Sequence, residues 1–165
     1  MATPGSGMTY DELTEDFVFA SEPITMTDAH VVVFGGLIGN LHPSHLNADY
    51  SERAGPFKRR VIHGELTHAL MVGGFAQILG RTSHGQLGAS YRLRAPVFIG
   101  DTIYTEIRVQ EKKMTSKPGR GFVRFALKTY KQDGSCVADG TADFLVSTTR
   151  FPIYPPATPA GQAPA

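Results

Sequence analysis

Residues 63–79 read HGELTHALMVGGFAQIL. Leu66, Leu70, Gly73 and Gln77 follow one another at steps of three and four residues, and apolar or small residues fill most other positions. This spacing predicts a helix, and a helix that is apolar on nearly all sides is typically buried. Gly80 predicts the end of that helix, because glycine readily adopts the conformation that stops one.

After this helix the hydrophobic pattern changes to a period of two. Apolar and polar residues alternate in four segments, residues 87–93, 102–111, 122–131 and 136–148, and such alternation predicts strands. The sequences SKPG at 116–119 and QDGS at 132–135 predict hairpin turns between them. One buried helix followed by long antiparallel strands predicts an α+β, single hot-dog fold, in which the sheet wraps around the central helix. Because such a sheet leaves an edge strand unpaired, we expect a homodimer or a higher homo-oligomer built from dimers.

The length of 165 residues fits a single folded domain, for which we predict residues 8–151. Residues 1–7 are predicted to be a disordered N-terminal segment. Residues 152–165 contain five prolines, too many for a packed element, and predict a disordered Pro-rich tail.

Composition excludes several classes of function. The net charge of +1 lacks the basic excess of a nucleic-acid-binding protein. No apolar run approaches the roughly 20 residues that cross a bilayer, and no signal peptide is visible, so no membrane partner is expected. Cys136 is the single cysteine, which excludes an internal disulfide and a cysteine zinc site. We therefore expect a cytoplasmic protein.

The densest polar cluster is NLHPSHLN at residues 40–47, between helices predicted at 28–38 and 47–52. Pro43 predicts an ordered loop here rather than the interior of a helix. Two histidines three residues apart suit acid–base chemistry or metal binding, and the alternative is that they cap helix ends. Zinc needs three or four protein ligands at a recognisable spacing, which is absent, so no metal is expected.

Two further clusters flank the predicted central helix. In Arg60-Val61-Ile62-His63-Gly64, the glycine permits close approach of a ligand, and the first amides of the helix can donate to an anionic oxygen such as that of a thioester enolate. The alternative is a plain strand-to-helix turn with His63 in the core. The segment 94–102, RAPVFIGDT, is interpreted as an architectural bend between strands.

Together the three clusters resemble the MaoC-like dehydratases, which include the R-specific enoyl-CoA hydratases. The family pattern runs approximately G-D-x-N-P-x-H, then H-G, then P-V-x-x-G-D-T. Here the corresponding residues are GNLHPSH at 39–45, HG at 63–64 and PVFIGDT at 96–102. The resemblance covers residues 8–148 and implies a hydro-lyase that reversibly adds water to a trans-2-enoyl-CoA, giving the R-3-hydroxyacyl-CoA. Coenzyme A is then part of the acyl-CoA substrate, and no cofactor is expected.

Carried over residue by residue, the resemblance makes His45 the catalytic histidine, with Gly64 and His63 at the thioester-binding site. Asn40 occupies the position of the catalytic aspartate. An amide cannot exchange a proton near neutral pH, so Asn40 cannot be a general base.

Three accounts of the site remain open. His45 performs both proton transfers while Asn40 positions the water, or another group supplies the missing role, with His42, Asp49 and Glu65 as candidates. In the third account the chain is a hot-dog acyl-CoA thioesterase, for which Glu65 is the best carboxylate, or a non-catalytic acyl-CoA-binding subunit. The basic residues at 58–60 and 112–120 suit either coenzyme A phosphates or a solvated surface.

Overall fold

The computed structural model describes residues 6–152. Along the chain it contains β1 (Val18–Ala20), β2 (Ile24–Thr25), α1 (Asp28–Ile38), α2 (Pro43–Leu46), α3 (Ala48–Arg53), α4 (Gly64–Gly73), α5 (Phe75–Leu79), β3 (Ser83–Leu93), β4 (Thr102–Met114), β5 (Arg120–Lys131) and β6 (Cys136–Ser147). Residues 1–5 and 153–165, where most of the two predicted tails fall, lie outside the described part.

The strands form one antiparallel sheet in the order β1-β4-β5-β6-β3, with β2 also paired to β4. Helices α4 and α5 pack on this sheet through a continuous apolar core, whose members include Met71, Phe75, Ile78, Leu79, Ile107, Phe125, Leu127 and Phe144. The predicted α+β hot-dog arrangement, a sheet around a central helix, is confirmed. Both predicted hairpin turns are present between the strands that they were expected to join.

A second apolar cluster holds the helices that precede the central one. It joins Val31 of α1 to Ile62 and Leu66 at the start of α4, and to Val97, Ile103 and Val137 on the sheet side. Thr27 is the N-cap of α1, and Gly39 ends the helix with a φ of 72°. The 40–47 segment therefore begins directly after the end of α1, and its Leu46 packs against this second cluster.

The predicted central helix differs in two details from a single buried rod. It is divided at Gly74 into α4 and α5, because two successive glycines have the lowest helix propensity short of proline. One stripe of the helix is exposed in the single chain; it consists of Glu65, Ala69, Gly73, Ala76 and Gln77.

Two local predictions need correction, and two short strands were missed. The segment predicted as a loop contains one helical turn, α2, with Pro43 at its first position, where a missing N–H costs nothing. Ser6 and Gly7 are buried, and Gly7 O accepts a 3.0 Å hydrogen bond from Arg150 Nε, so packing begins two residues earlier than predicted. Strands β1 and β2 were not predicted, because three and two residues are too few to show alternation.

No helix within residues 6–152 is long and apolar enough to span a membrane.

Gly140 is a position where the sheet tolerates no side chain. A Cβ added there would lie 2.1 Å from the carbonyl oxygen of Ser90 in the neighbouring strand β3. Gly140→Ala is therefore expected to lower the free energy of unfolding by about 1–3 kcal/mol, measured by urea titration.

The matched control for this prediction is Gly36→Ala, in the exposed part of α1, where an added Cβ meets no atom within 4 Å. That variant is expected to stabilise the protein by about 0.5–1 kcal/mol through helix propensity. Equal stability of the two variants would contradict the close approach of β3 and β6.

Candidate active site

His45 is held in one orientation by the backbone around it. Its Nδ1 lies 2.8 Å from the carbonyl oxygen of Val61, and since a carbonyl only accepts, Nδ1 carries the proton in this contact. The Nε2 atom of the neutral ring is then left with a free lone pair. Arg60 Nε donates to the carbonyl oxygen of His45 at 2.6 Å and fixes the turn from the other side. His45 is thus oriented as a proton acceptor.

The side chain of His63 lies directly behind His45. The two rings are stacked with centroids 3.9 Å apart, and His63 is fully buried. Its Nε2 donates to the carbonyl oxygen of Asn40 at 2.9 Å, while its Nδ1 has no hydrogen-bond partner among the described residues. Gly35 makes room for this ring, because a Cβ there would lie 3.1 Å from it. The ring of His63 therefore supports the loop and His45, and is not itself exposed to a ligand.

The surroundings of His45 lower its pKa. The largest cause is burial, which disfavours the charged imidazolium, and the nearby His63 and His42 lower the pKa further. The hydrogen bond to Val61 and the charge of Glu65 act in the opposite direction and raise it. The neutral ring is favoured, and its Nε2 is available as a base near neutral pH.

A cavity of about 460 Å³ opens beside His45. Its walls are mainly apolar and consist of Phe57, Val61, Ile62, Gly64, Thr67, Leu93, Ala95, Pro96 and Val97, with Arg94 also at its lining. Residues 94–97, the first part of the segment interpreted as an architectural bend, therefore also line the cavity. Arg94 is held by a bidentate ion pair with Asp139, with both contacts at 2.8 Å.

Gly64 begins α4 at the wall of this cavity. A Cβ there would lie 2.4 Å from Leu93 Cδ1, so the missing side chain allows β3 to pack against the start of the helix. The first amides of an α-helix have no intrahelical partner and favour a negatively charged group. The cavity thus combines apolar walls, a base and the positive end of a helix.

Asn40 and His42 stabilise the turn that carries His45. Asn40 Oδ1 accepts a long hydrogen bond of 3.4 Å from the backbone N–H of His42. His42 is the N-cap of α2, since its Nδ1 accepts from Ser44 N at 3.2 Å. Its ring lies edge-on to His45, with centroids 6.1 Å apart.

The two candidate carboxylates occupy different surroundings. Glu65 is exposed in the first turn of α4, next to Gly64 and close enough to His45 to influence its pKa. Asp49 forms a 2.7 Å ion pair with Arg53 on the exposed surface of α3 and is not among the groups that act on His45. The structure therefore brings together His45, His63, Gly64, His42 and Glu65, and leaves out Asp49.

Sequence reasoning missed several residues that line the cavity. Thr67 is buried one helical turn after Gly64, and this spacing on one helix face was the available signal. Phe57 and Leu93 come from a loop and a strand end, and their sequence context gives no such indication.

Of the basic residues at 58–60, Arg60 forms an ion pair with Asp28 at 2.6 Å and donates to the carbonyl oxygen of His45. Within residues 6–152, no group of three potential metal-ligating side chains is assembled.

Comparison with known proteins finds relatives of this chain in sequence and in fold. The family model described as "MaoC like domain" matches residues 12–129. An (R)-specific enoyl-CoA hydratase of Rhodospirillum rubrum is 30% identical over 131 residues, which cover 77% of this chain and 84% of the relative. The unliganded R-hydratase PhaJ1 of Pseudomonas aeruginosa is 28% identical and superimposes with a TM-score of 0.75, over 92% of this chain and 96% of that one.

A more distant similarity supports the fold alone. A Mycobacterium tuberculosis protein with a double hot-dog fold is 19% identical, with a TM-score of 0.78 over 97% of this chain and 52% of that one. The chain belongs to the MaoC-like domain family.

The orientation and burial of His45 generate a prediction for its titration. Because burial disfavours the imidazolium, the ring is expected to titrate with a midpoint below the ordinary histidine value of about 6.5. The measurement is an NMR pH titration of the histidine ring protons. The His45 resonance is assigned by its loss in His45→Gln, and a midpoint above the ordinary value would contradict the described environment.

Proposed function

We propose that this protein is a hydratase/dehydratase of acyl-CoA thioesters, which reversibly adds water to a trans-2-enoyl-CoA to give the R-3-hydroxyacyl-CoA. The observation that carries the proposal is the Nε2 of His45, left free as an acceptor beside an apolar cavity at the start of α4. Relatives named (R)-specific enoyl-CoA hydratases support the same reaction.

In this proposal His45 is the proton carrier for both steps. Its Nε2 takes a proton from water as the water oxygen bonds to C3, and the electron pair of the C2–C3 double bond moves to the thioester oxygen. The imidazolium of His45 then returns the proton to C2 as the enolate re-forms the thioester carbonyl. One molecule of water is added, and dehydration is the reverse sequence.

The amide of Gly64 is proposed to stabilise the enolate oxygen, with His63 supporting the site from behind. An N–H at the start of a helix is a donor already oriented toward developing negative charge. The apolar walls exclude water from the enolate, which strengthens that interaction.

Coenzyme A enters as part of the substrate, and no separate cofactor takes part in the proposed reaction. The proposal also assigns the protein to the cytoplasm, a reducing compartment suited to the lone Cys136.

Asn40 does not exchange protons in this scheme. The backbone carbonyl oxygen of Asn40 accepts a hydrogen bond from Nε2 of His63, and its side-chain Oδ1 accepts one from the backbone N–H of His42. Its role in the proposal is therefore to hold the loop that carries His45. A single base is chemically sufficient, because the proton taken from the water is the one that C2 receives.

A second candidate function is favoured by the position of Glu65. Glu65 directly follows Gly64 in the sequence, and its charge acts on the pKa of His45 in the raising direction. In a thioesterase such a carboxylate activates water at the thioester carbon, and the products are a free acid and a free thiol. The two functions differ in product: a hydratase consumes the enoyl double bond and releases no thiol.

The test is the loss of enoyl-thioester absorbance with a panel of trans-2-enoyl-CoA substrates of different chain lengths. His45→Ala is expected to reduce the rate by at least about 10²–10⁴-fold, with an unchanged circular dichroism spectrum. His30→Gln, in α1, is the control and is expected to keep full activity, because glutamine can still accept the hydrogen bond from Thr27 N that His30 accepts at the start of that helix.

Three outcomes would contradict the hydratase proposal. Hydration that does not depend on His45 would exclude the mechanism. Thiol release without loss of the double bond would identify a thioesterase instead. Binding of acyl-CoA without either reaction would identify a non-catalytic acyl-CoA-binding subunit.

We also propose that the functional unit is a homodimer joined through β3. This strand of 11 residues is at the edge of the sheet and is exposed over most of its length. It presents Leu87, Tyr91 and Leu93 with exposed fractions of 59%, 40% and 48%. A long exposed edge strand that carries apolar side chains attracts another strand, so pairing with a second copy removes an otherwise unfavourable surface.

Light scattering after size exclusion is expected to give twice the chain mass of 17.8 kDa. Leu87→Lys is expected to produce monomer, because it places a charge in the contact. Met114→Lys is the control, since it adds the same charge at an exposed residue of β4, and is expected to stay dimeric. A monomeric wild-type protein, or a Leu87→Lys dimer as stable as the control, would contradict this interface.

A further inference from the structure

The dipeptide Arg60-Val61 contacts His45 and the preceding Ser44 at three places. The backbone N–H of Val61 donates to the carbonyl oxygen of Ser44 at 3.2 Å, and the carbonyl oxygen of Val61 accepts from Nδ1 of His45 at 2.8 Å. The side chain of Arg60 makes the third contact, from its Nε to the carbonyl oxygen of His45 at 2.6 Å. Both the ring and the main chain of His45 are therefore bound to two successive residues of another segment.

The same segment is bound to a wall of the cavity. The backbone N–H of Ile62 donates to the carbonyl oxygen of Val97 at 2.9 Å, and Val61 forms an antiparallel bridge with Phe98. Ile62 and Val97 are buried and line the cavity. The contacts that Arg60 and Val61 make with the candidate catalytic histidine therefore place that histidine relative to the cavity.

A carboxylate of α1 holds the arginine in this position. Nη2 of Arg60 lies 2.6 Å from Oδ1 of Asp28, the first residue of α1. The guanidinium is planar, so the directions of its donors are fixed relative to one another. The side chain of Asp28 is 62% exposed, and an ion pair that is open to solvent on one side adds little to stability. The consequence of this pair is therefore geometric: it orients the Nε of Arg60 toward the carbonyl oxygen of His45.

We infer that Arg60 is a positioning residue for the proposed reaction, which keeps His45 in the tautomer with its proton on Nδ1. This inference rests on the proposed function and deepens it. A neutral imidazole carries one ring proton, and Nε2 is a base only while that proton is on Nδ1. The carbonyl oxygen of Val61 selects this tautomer as long as the ring stays within hydrogen-bond distance, and Arg60 holds the main chain of His45 at that distance. Arg60 is not among the described residues that line the cavity, so it acts through His45.

The first experiment measures the tautomer without any substrate. In nitrogen NMR spectra of the full chain, recorded above the titration midpoint of His45, the two ring nitrogens are expected to have widely separated shifts, because one of them carries the proton. Arg60→Met keeps an unbranched side chain but removes the donors, and we expect the two shifts to move toward each other as both tautomers become populated. Arg60→Lys keeps the charge without the planar donors and is expected to give an intermediate result.

The matched control is Arg108→Met, which removes an arginine from a partly exposed ion pair with Glu106 in β4. It is expected to leave the shifts of His45 unchanged. The thermal midpoints of the Arg60 variants are expected to stay within a few degrees of that of Arg108→Met, which checks that the chain remains folded.

The second experiment measures hydration by the same variants. Arg60→Met is expected to lower kcat by about 10–10²-fold, because a small displacement of the base costs it its approach to the water. KM is expected to change by less than about threefold, since the lining of the cavity is unaltered. Arg60→Lys is expected to recover part of kcat, and Arg108→Met to keep all of it.

The outcomes separate the role of Arg60 from the proposed function. Unchanged ring-nitrogen shifts in Arg60→Met would overturn the role of Arg60, whatever the rate. Converging shifts with an unchanged kcat, or a fall in kcat that Arg108→Met shares, would also overturn it. If the wild-type protein hydrates no enoyl-CoA of the panel, the proposed function fails and with it the catalytic consequence of Arg60. Converging shifts would even then show that Arg60 orients His45.

Discussion

The buried ring of His63 connects the segments that build the site. It fills the space beside Gly35 of α1, donates to the carbonyl oxygen of Asn40 and stacks against His45. His63 is fully buried and its Nδ1 finds no partner within residues 6–152, which costs free energy that the other contacts of the ring must offset. These contacts set the positions of α1 and the 40–47 segment relative to the start of α4. The orientation of His45 depends on those positions.

The sheet contributes rigidity rather than chemistry. The long strands β4, β5 and β6 bury a continuous apolar face under α4 and α5, so the start of α4 has a fixed position against the sheet. The smaller cluster around Ile62 and Leu66 then holds the loop segment against that start. A base carried on a short turn is placed reproducibly because packed elements hold both sides of the turn.

Much of this architecture could be predicted from local patterns. Alternation identified the four long strands, and the spacing after His63 identified the central helix, because burial imposes those periods. The family resemblance added His45 and Gly64, which the structure places beside one cavity. The stack of His63 on His45, the contribution of Thr67 and the separation of Asp49 depend on contacts between distant segments. Sequence spacing does not encode these contacts, and the exposed stripe on α4 likewise depends on which face meets the sheet.

The close contact between Gly64 and Leu93 links two parts of the molecule. Leu93 is the last residue of the edge strand β3 and also a wall of the cavity beside His45. Movement of β3 therefore changes the volume available to a bound molecule. Because coupled equilibria are reciprocal, a partner strand that altered affinity in the cavity through β3 would have its own pairing altered by the same factor when the cavity is filled.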